Sequence, residues 1–193
     1  IDLPTPASYW KICSINEGVF PVLASDPKIS QYYENSRRKK NYYATFDPYV
    51  YSLADVIVVD INLDVKKQAN NGSDVNDYSV DLSPFKKAIE SIGNNCKPDV
   101  LVLVETTVPP GTSEKIVKPL LKECLEKRGL TADKIKVAHS YERVMPGPKY
   151  IDSIQNFYRV FAGTDDASAN AAEKFLLTVI KTDEYPLTKL GNT

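Results

Sequence analysis

Four short apolar runs alternate with amphipathic stripes along this chain, and no other feature constrains its fold as tightly. The runs are ADVIVVD (54–60), VLVLVE (100–105), KIKVAHS (134–140) and YRVFAG (158–163). Each is brief, and the first holds β-branched residues. The first, with apolar residues in succession, reads as a strand covered on both faces. Between the runs lie helical patterns. DLSPFKKAIESIG (81–93) spaces Leu82, Phe85, Ile89 and Ile92 three and four apart. Ser83 suits its cap, Pro84 its first turn and Gly93 its exit. The helix over 112–128 gathers Ile116, Leu120 and Cys124 or Leu121 on one face. Pro119 inside it removes the amide that would reach the Lys115 carbonyl, which predicts a kink. DASANAAEKFLLTVI (166–180) turns Ala172, Phe175, Leu176 and Val179 inward. Strand, helix, strand, helix, strand is the signature of parallel βαβ units. The expected class is α/β: a mostly parallel sheet with helices on both faces and right-handed crossovers.

Composition excludes several functions. The charge is −1, from 24 basic and 25 acidic residues, so nothing argues for nucleic acid as a partner. The basic run Arg37–Lys40 reads as a solvated loop or helix end rather than a phosphate patch. No apolar run approaches the roughly 18 residues of a membrane span. Three cysteines, Cys13, Cys96 and Cys124, lack metal or redox spacing, and with one histidine they build no usual zinc site. Reduced thiols in the cytoplasm are the natural reading. Six tyrosines crowd into residues 31–52 and read as packing rather than a stacking platform. Residues 62–80 read as a solvated loop. Residues 141–157 read as a loop of about fifteen residues after a strand end, where ordered loops often carry function.

In open parallel sheets, ligands bind beyond the carboxyl ends of the strands. Here those ends carry Asp60-Ile61-Asn62, then Thr106-Thr107, then His139-Ser140-Tyr141-Glu142. Thr106, Thr107, Ser140 and Glu142 are expected to converge on one crevice, where hydroxyls and a carboxylate can hold and activate a water. Gly111-Thr112 opens a helix whose free amides favour an anion. Val108-Pro109-Pro110 stiffens the turn after the threonines. Spacing alone leaves two readings of that turn open: a stiff strand ending, or a rigid perch for hydroxyls aimed at a ligand. His139, alone on an apolar strand, reads as a hydrogen-bonded core residue rather than a catalyst.

The paired segments VETTVPPGTSEKIVKPLL and HSYERVMPG resemble the nucleotide-sugar dehydrogenases of the UDP-glucose/GDP-mannose dehydrogenase family. DVIVVDINLDV and INEGVFPV resemble two further family segments. The resemblance implies a Rossmann-like NAD-binding domain and oxidation of the C6 alcohol of a nucleotide-linked sugar to a carboxylate, with two NAD⁺ reduced. It implies that Thr107 holds the hydrolytic water and that Glu142 assists hydrolysis. It matches Asp2 to the acid that bonds the cofactor ribose, and Ile61, Asn62 and Thr106 to positions lining the cofactor. It matches Glu142, Arg143, Val144 and Met145 to the loop over the sugar. The partner implied is a nucleotide sugar, a UDP-sugar first, and ERVMPG leans toward the N-acetylhexosamine type. A complete member is expected to be a homodimer or higher.

Departures from the family pattern are plain. None of the eight glycines forms Gly-x-Gly, so the pyrophosphate cradle is absent from this sequence. The family's Phe-Gly-Gly-x-Cys segment is absent too. Pro146 stands in place of a loop acid that some members carry, Tyr141 in place of Pro, and Leu63-Asp64 in place of Thr-Pro. The chain opens on Ile1-Asp2 and closes on Gly191-Asn192-Thr193. The expectation is a single partial NAD-binding domain over 1–193. It would lack the first βα unit, the central helix and the substrate domain, and would be inactive alone. The alternative is a non-catalytic α/β nucleotide-binding or scaffolding module. A Ser hydrolase or glycosyltransferase has little support, since Gly-x-Ser-x-Gly is missing and no strand ends in Asp-x-Asp.

Overall fold

One interior strand of the main sheet is apolar at every position. In the computed structural model it runs Leu101–Val104 (β4) and all four residues are buried. The structure describes all residues except 24, 64, 68–77, 142, 143, 146, 192 and 193, and leaves the side chains of 65–67, 78 and 79 undescribed. Element order is α1 (Pro6–Glu17), α2 (Pro27–Lys39), a 3₁₀ turn (Pro48–Ser52), β1 (Val56–Val59), β2 (Val65–Lys67), β3 (Tyr78–Val80) and α3 (Ser83–Gly93). After β4 come a π-turn (Ser113–Val117), α4 (Lys118–Lys127), β5 (Lys136–His139), α5 (Tyr150–Gln155), β6 (Val160–Gly163), α6 (Asp166–Leu176) and β7 (Thr188–Lys189).

The main sheet has the order β1-β4-β5-β6-β7. β1, β4 and β5 are parallel, with Val58 beside Leu103 and Leu103 beside Ala138. One face carries Ile57, Val59, Val102, Val104 and Val137 against Phe85, Ile89 and Ile92 of α3 and Leu121 and Leu125 of α4. The other carries Leu101, Leu103, Ala138 and Phe161 against Ala169, Ala172 and Leu176 of α6. The mostly parallel sheet with helices on both faces is therefore as the alternation predicts. At Gly163 the α6 backbone at Ala169 lies where a Cβ would sit, so this close approach needs glycine.

Several elements depart from expectation. β6 runs antiparallel to β5, pairing Ala138 with Gly163 and His139 with Ala162. The connection between them stays on the rim where β5 ends, so β6 enters the sheet from that rim. β1 is covered only in part on the α6 side: Val56 packs against the α6 layer, but Val58 is 43% exposed. Ser83 is the first residue of α3 and not its cap: Leu82 holds the cap position, and Asp81 Oδ1 accepts the Ser83 amide at 2.9 Å. The 112–128 helix is split. Lys118 donates five residues back to Ser113, and α4 restarts with Pro119 at its second position, where its missing amide is harmless. The extra residue turns the buried stripe onto Val117, Leu121, Cys124 and Leu125, leaving Ile116 and Leu120 half-buried. The expected loop 62–80 contains a short antiparallel hairpin, β2 with β3. The expected loop 141–157 contains α5.

Residues 1–53 form a helical arm beside the sheet. Ser8, Ile12, Asp26 and Tyr33 are its buried residues among those described. Of the six clustered tyrosines, Tyr33 is buried and donates from its hydroxyl to the Ile15 carbonyl at 2.6 Å, and Tyr51 packs on the core. Tyr32, Tyr42, Tyr43 and Tyr49 are exposed, so the packing reading holds for part of the cluster. Arg37–Lys40 form the exposed carboxyl end of α2, where cations complement the helix dipole.

Candidate active site at the strand rim

Where β1 and β4 end, a threonine ties the two strands together. The Val59 carbonyl accepts the amides of Glu105 and Thr106 at 2.9 and 3.1 Å. Thr106 is buried. Its Oγ1 donates to the same carbonyl at 3.2 Å and accepts the Ile61 amide at 2.8 Å. The hydroxyl is thus committed to shaping the turn that presents Ile61 and Asn62, and is not aimed at a ligand. Thr107 is exposed at the rim, and its hydroxyl has no protein partner among the described residues. The stretch 107–112 is stiffened from within: Thr112 is buried, and its Oγ1 donates to the Pro109 carbonyl at 2.7 Å. Gly111 takes a φ of +81°, which a side chain would strain. So one threonine is structural and the next is presented.

Ser140 does not join the crevice. It is fully buried, and its Oγ donates to the Val160 carbonyl of β6 at 3.1 Å. The reason is the antiparallel β6, which covers the flank that a parallel neighbour would leave open. His139 is half-buried, and its Nδ1 is buried without a hydrogen-bond partner among the described residues. Burial pushes its pKa below the ordinary value. The expectation of a hydrogen-bonded core histidine is corrected accordingly. Glu142 and Arg143 lie outside the described residues. Their neighbours do not: Val144 lines the cleft below the rim, and Met145 is exposed and donates its amide to Ser153 Oγ at 3.0 Å. Asp2 is exposed and belongs to the helical arm. Its amide donates to the Thr45 carbonyl at 3.0 Å, and its Oδ1 accepts the Leu3 amide at 2.7 Å.

The cleft has a volume of about 260 Å³ and runs under the rim on the α6 side, among Val58, Asp60, Glu105, Val144, Arg159 and Phe175. Two of these residues were not anticipated. Arg159, which is buried, sets a guanidinium nitrogen 3.3 Å from Glu105 and donates to the Tyr141 carbonyl at 3.2 Å. The antiparallel entry of β6 accounts for this, since it brings the residue before the strand to the rim where β1, β4 and β5 end. The signal in the sequence was a charge set directly against each of two apolar runs, VLVLVE and YRVFAG. Cys96 and Cys124 are buried, and burial pushes both thiols up, away from thiolate chemistry. Among the described residues no group of His, Cys, Asp and Glu could hold a metal, and no helix is long and apolar enough to cross a membrane.

Residues 7–180 match the model of the NAD binding domain of the UDP-glucose/GDP-mannose dehydrogenase family. The chain belongs to this family. Among curated members, the UDP-N-acetyl-D-mannosamine dehydrogenase of Methanocaldococcus jannaschii is 38% identical over 100 residues, 52% of this chain and 21% of that protein. That of Pyrococcus horikoshii is 35% identical over 101 residues, 52% of this chain and 23% of that protein. Among solved members, the NDP-N-acetyl-D-galactosaminuronic acid dehydrogenase of Methanosarcina mazei Go1 superposes with a TM-score of 0.78 at 25% identity. The match covers all of this chain and 38% of that one. The chain thus spans well under half the length of the family members it matches. The family match also makes the fold expectation specific: this is a Rossmann-like NAD binding domain, and the rim just described is its strand-end edge.

Proposed function

We propose that this chain supplies the cofactor-side half of an NAD-dependent nucleotide-sugar 6-dehydrogenase. Such an enzyme oxidises the C6 alcohol of a UDP-linked N-acetylhexosamine to a carboxylate. The observation that carries the reading is the family match over 7–180, joined to relatives named for N-acetylated sugars. The residues present suit part of a dinucleotide. Asp2 offers an exposed carboxylate with Oδ2 available, and Ile61-Asn62 form a shelf shaped by Thr106. Asp2 would bond the ribose; Ile61, Asn62 and Thr107 would line the cofactor, on a turn that the buried Thr106 holds. Held there, NAD⁺ would supply the hydride acceptor for the oxidation at the sugar C6.

The chain's own residues handle water and position. Thr107, presented by the stiff Pro-Pro-Gly turn, orients the water that supplies the second carboxylate oxygen, and Glu142 takes its proton. Arg143, Val144 and Met145 close over the sugar, with Val144 already in the wall of the cleft. With no Gly-x-Gly and no Gly-Gly-x-Cys, the 193 residues alone turn over no substrate. Homodimerisation and a cytoplasmic site belong to the same proposal, for the complete protein.

The test uses a protein carrying this chain together with the remaining length of its relatives. Supplied with NAD⁺ and UDP-N-acetylmannosamine, it is expected to form two NADH per sugar, followed at 340 nm. Thr107→Ala is expected to lower kcat by roughly 10²-fold or more, the scale of one water-positioning group. An unchanged kcat in that variant overturns the role of Thr107. Sustained NADH from the 193-residue chain alone overturns the division of labour.

A further inference from the structure

Asp26 is buried at 2% exposure, far from the strand rim in sequence. Its two carboxylate oxygens serve two different helices. Oδ1 accepts the Lys28 amide at 2.9 Å and caps α2; Oδ2 accepts the Ile151 amide at 2.8 Å in the first turn of α5. Beside it, Lys28 Nζ meets Asp152 Oδ1 at 2.6 Å. One turn into α5, the buried Ser153 donates to the Tyr150 carbonyl at 2.7 Å and accepts the Met145 amide at 3.0 Å. At the other end of the same loop, Arg159 holds the Tyr141 carbonyl. Tyr141 and Met145 are therefore each pinned from outside. One pin reaches β4 through Arg159 and Glu105. The other reaches the helical arm through Ser153, α5 and Asp26.

We propose that Asp26 is a positioning residue for the loop over the cleft, fixing α5, and through Ser153 the Met145 backbone, to the helical arm. α5 has six residues, too few to be stable without outside contacts, so its place depends on what holds its ends. A buried carboxylate accepting two backbone amides is a strong holder, since charge-assisted bonds are short and directional. One amide belongs to each side, so the carboxylate couples the two sides and does not merely cap one. The catalytic consequence rests on the dehydrogenase reading above, in which this loop carries Glu142; the tether itself does not.

Asp26→Ser separates the two duties. A serine still reaches the Lys28 amide as a helix cap, but its single oxygen cannot also serve Ile151. Ser153→Ala cuts the link one step later and leaves α2 untouched. Amide hydrogen exchange on the 193-residue chain, resolved by residue, reads both. In Asp26→Ser, exchange at Ile151 and Met145 is expected to rise roughly ten- to a hundredfold, the range of one lost charge-assisted bond, with Lys28 and β4 unchanged. In Ser153→Ala, Met145 is expected to rise without Ile151. Unchanged exchange at Met145 in Asp26→Ser overturns the tether. So does a rise spread evenly through β4, which would report global loosening. In the complete enzyme, Asp26→Ser is expected to lower kcat up to ~10²-fold with KM for NAD⁺ unchanged, as loop misplacement does. Altered exchange with an unaltered kcat would overturn the catalytic half alone, and with it the assignment of this loop to hydrolysis.

Discussion

The sheet and the helical arm are held together by different means. In the sheet, each face carries an apolar layer: Phe85, Ile89, Leu121 and Val137 on one side, Leu103, Phe161 and Ala172 on the other, all these side chains essentially inaccessible to water. In residues 1–53 a few buried groups carry the load, and Tyr9, Trp10, Tyr43 and Leu23 stand in solvent. Apart from Tyr51 on the core, the arm meets the rest of the fold through discrete polar contacts, Asp26 with Ile151 and Lys28 with Asp152, while Asn16 and Ala44 exchange two hydrogen bonds within it. Apolar burial is non-directional and tolerates small shifts, whereas a hydrogen bond to a carboxylate demands one geometry. The sheet therefore supplies stability and the arm supplies placement.

Substitutions can break this contrast, the largest effect first. Phe85→Ala removes a fully buried ring from the core layer beneath α3, and should cost about 3–5 kcal/mol, read as a lowered urea midpoint at an unchanged slope. Arg159→Met leaves Glu105 without its guanidinium partner, at a cost of about 3 kcal/mol, and frees the Tyr141 carbonyl. Stability should fall less than for Phe85→Ala, while exchange in the loop rises more. Next is a pH effect. Burial would raise Asp165, but hydrogen bonds from Lys118 and Ser168 overcome it and hold the pKa at about 2 against an ordinary 3.8. A depressed carboxylate stabilises above the unfolded value and loses that contribution as pH falls through the folded one. Melting temperature should therefore drop between about pH 4 and 2, and Lys118→Met should flatten that drop. Solvent screens this partly exposed pair, so the effect is smaller than either core change. Smallest of all, Trp10→Ala on the exposed arm should change stability by less than about 0.5 kcal/mol. A loss near that of Phe85→Ala would show that the arm has an apolar core of its own.

The same contrast decides what could be read from the sequence. Apolar runs and three-four spacing located β1, β4, β5, β6, α3 and α6, because those elements bury continuous surfaces whose period is written locally. The direction of β6 was not legible, since it depends on where a twenty-residue connection travels. Nor was α5, because its cap comes from Asp26, 125 positions away from Ile151. Pro119 was read correctly as a disturbance, but not the π-turn that absorbs it, and so the buried stripe was placed one position early. At the rim, Thr107 is exposed, while Thr106 and Ser140 spend their hydroxyls on backbone carbonyls. A hydroxyl in a sequence carries no mark of which it will do. Arg159 and Glu105 were visible as charges abutting apolar runs, and only the antiparallel strand joins them.

The π-turn before α4 has a consequence for how this edge of the fold can change. One surplus residue between Gly111 and Lys118 sets the azimuth at which the Pro-Pro-Gly segment leaves the helix, while α4 keeps its grip on the sheet through Leu121 and Leu125. Removing one of its exposed residues, Glu114 or Lys115, would wind the turn back to ordinary α pitch and swing the threonine perch by roughly a third of a rotation, while Val117, Leu121 and Leu125 keep their place on the sheet. Aim at the rim and integrity of the interior are thus adjustable separately, by a change in chain length rather than in side chains.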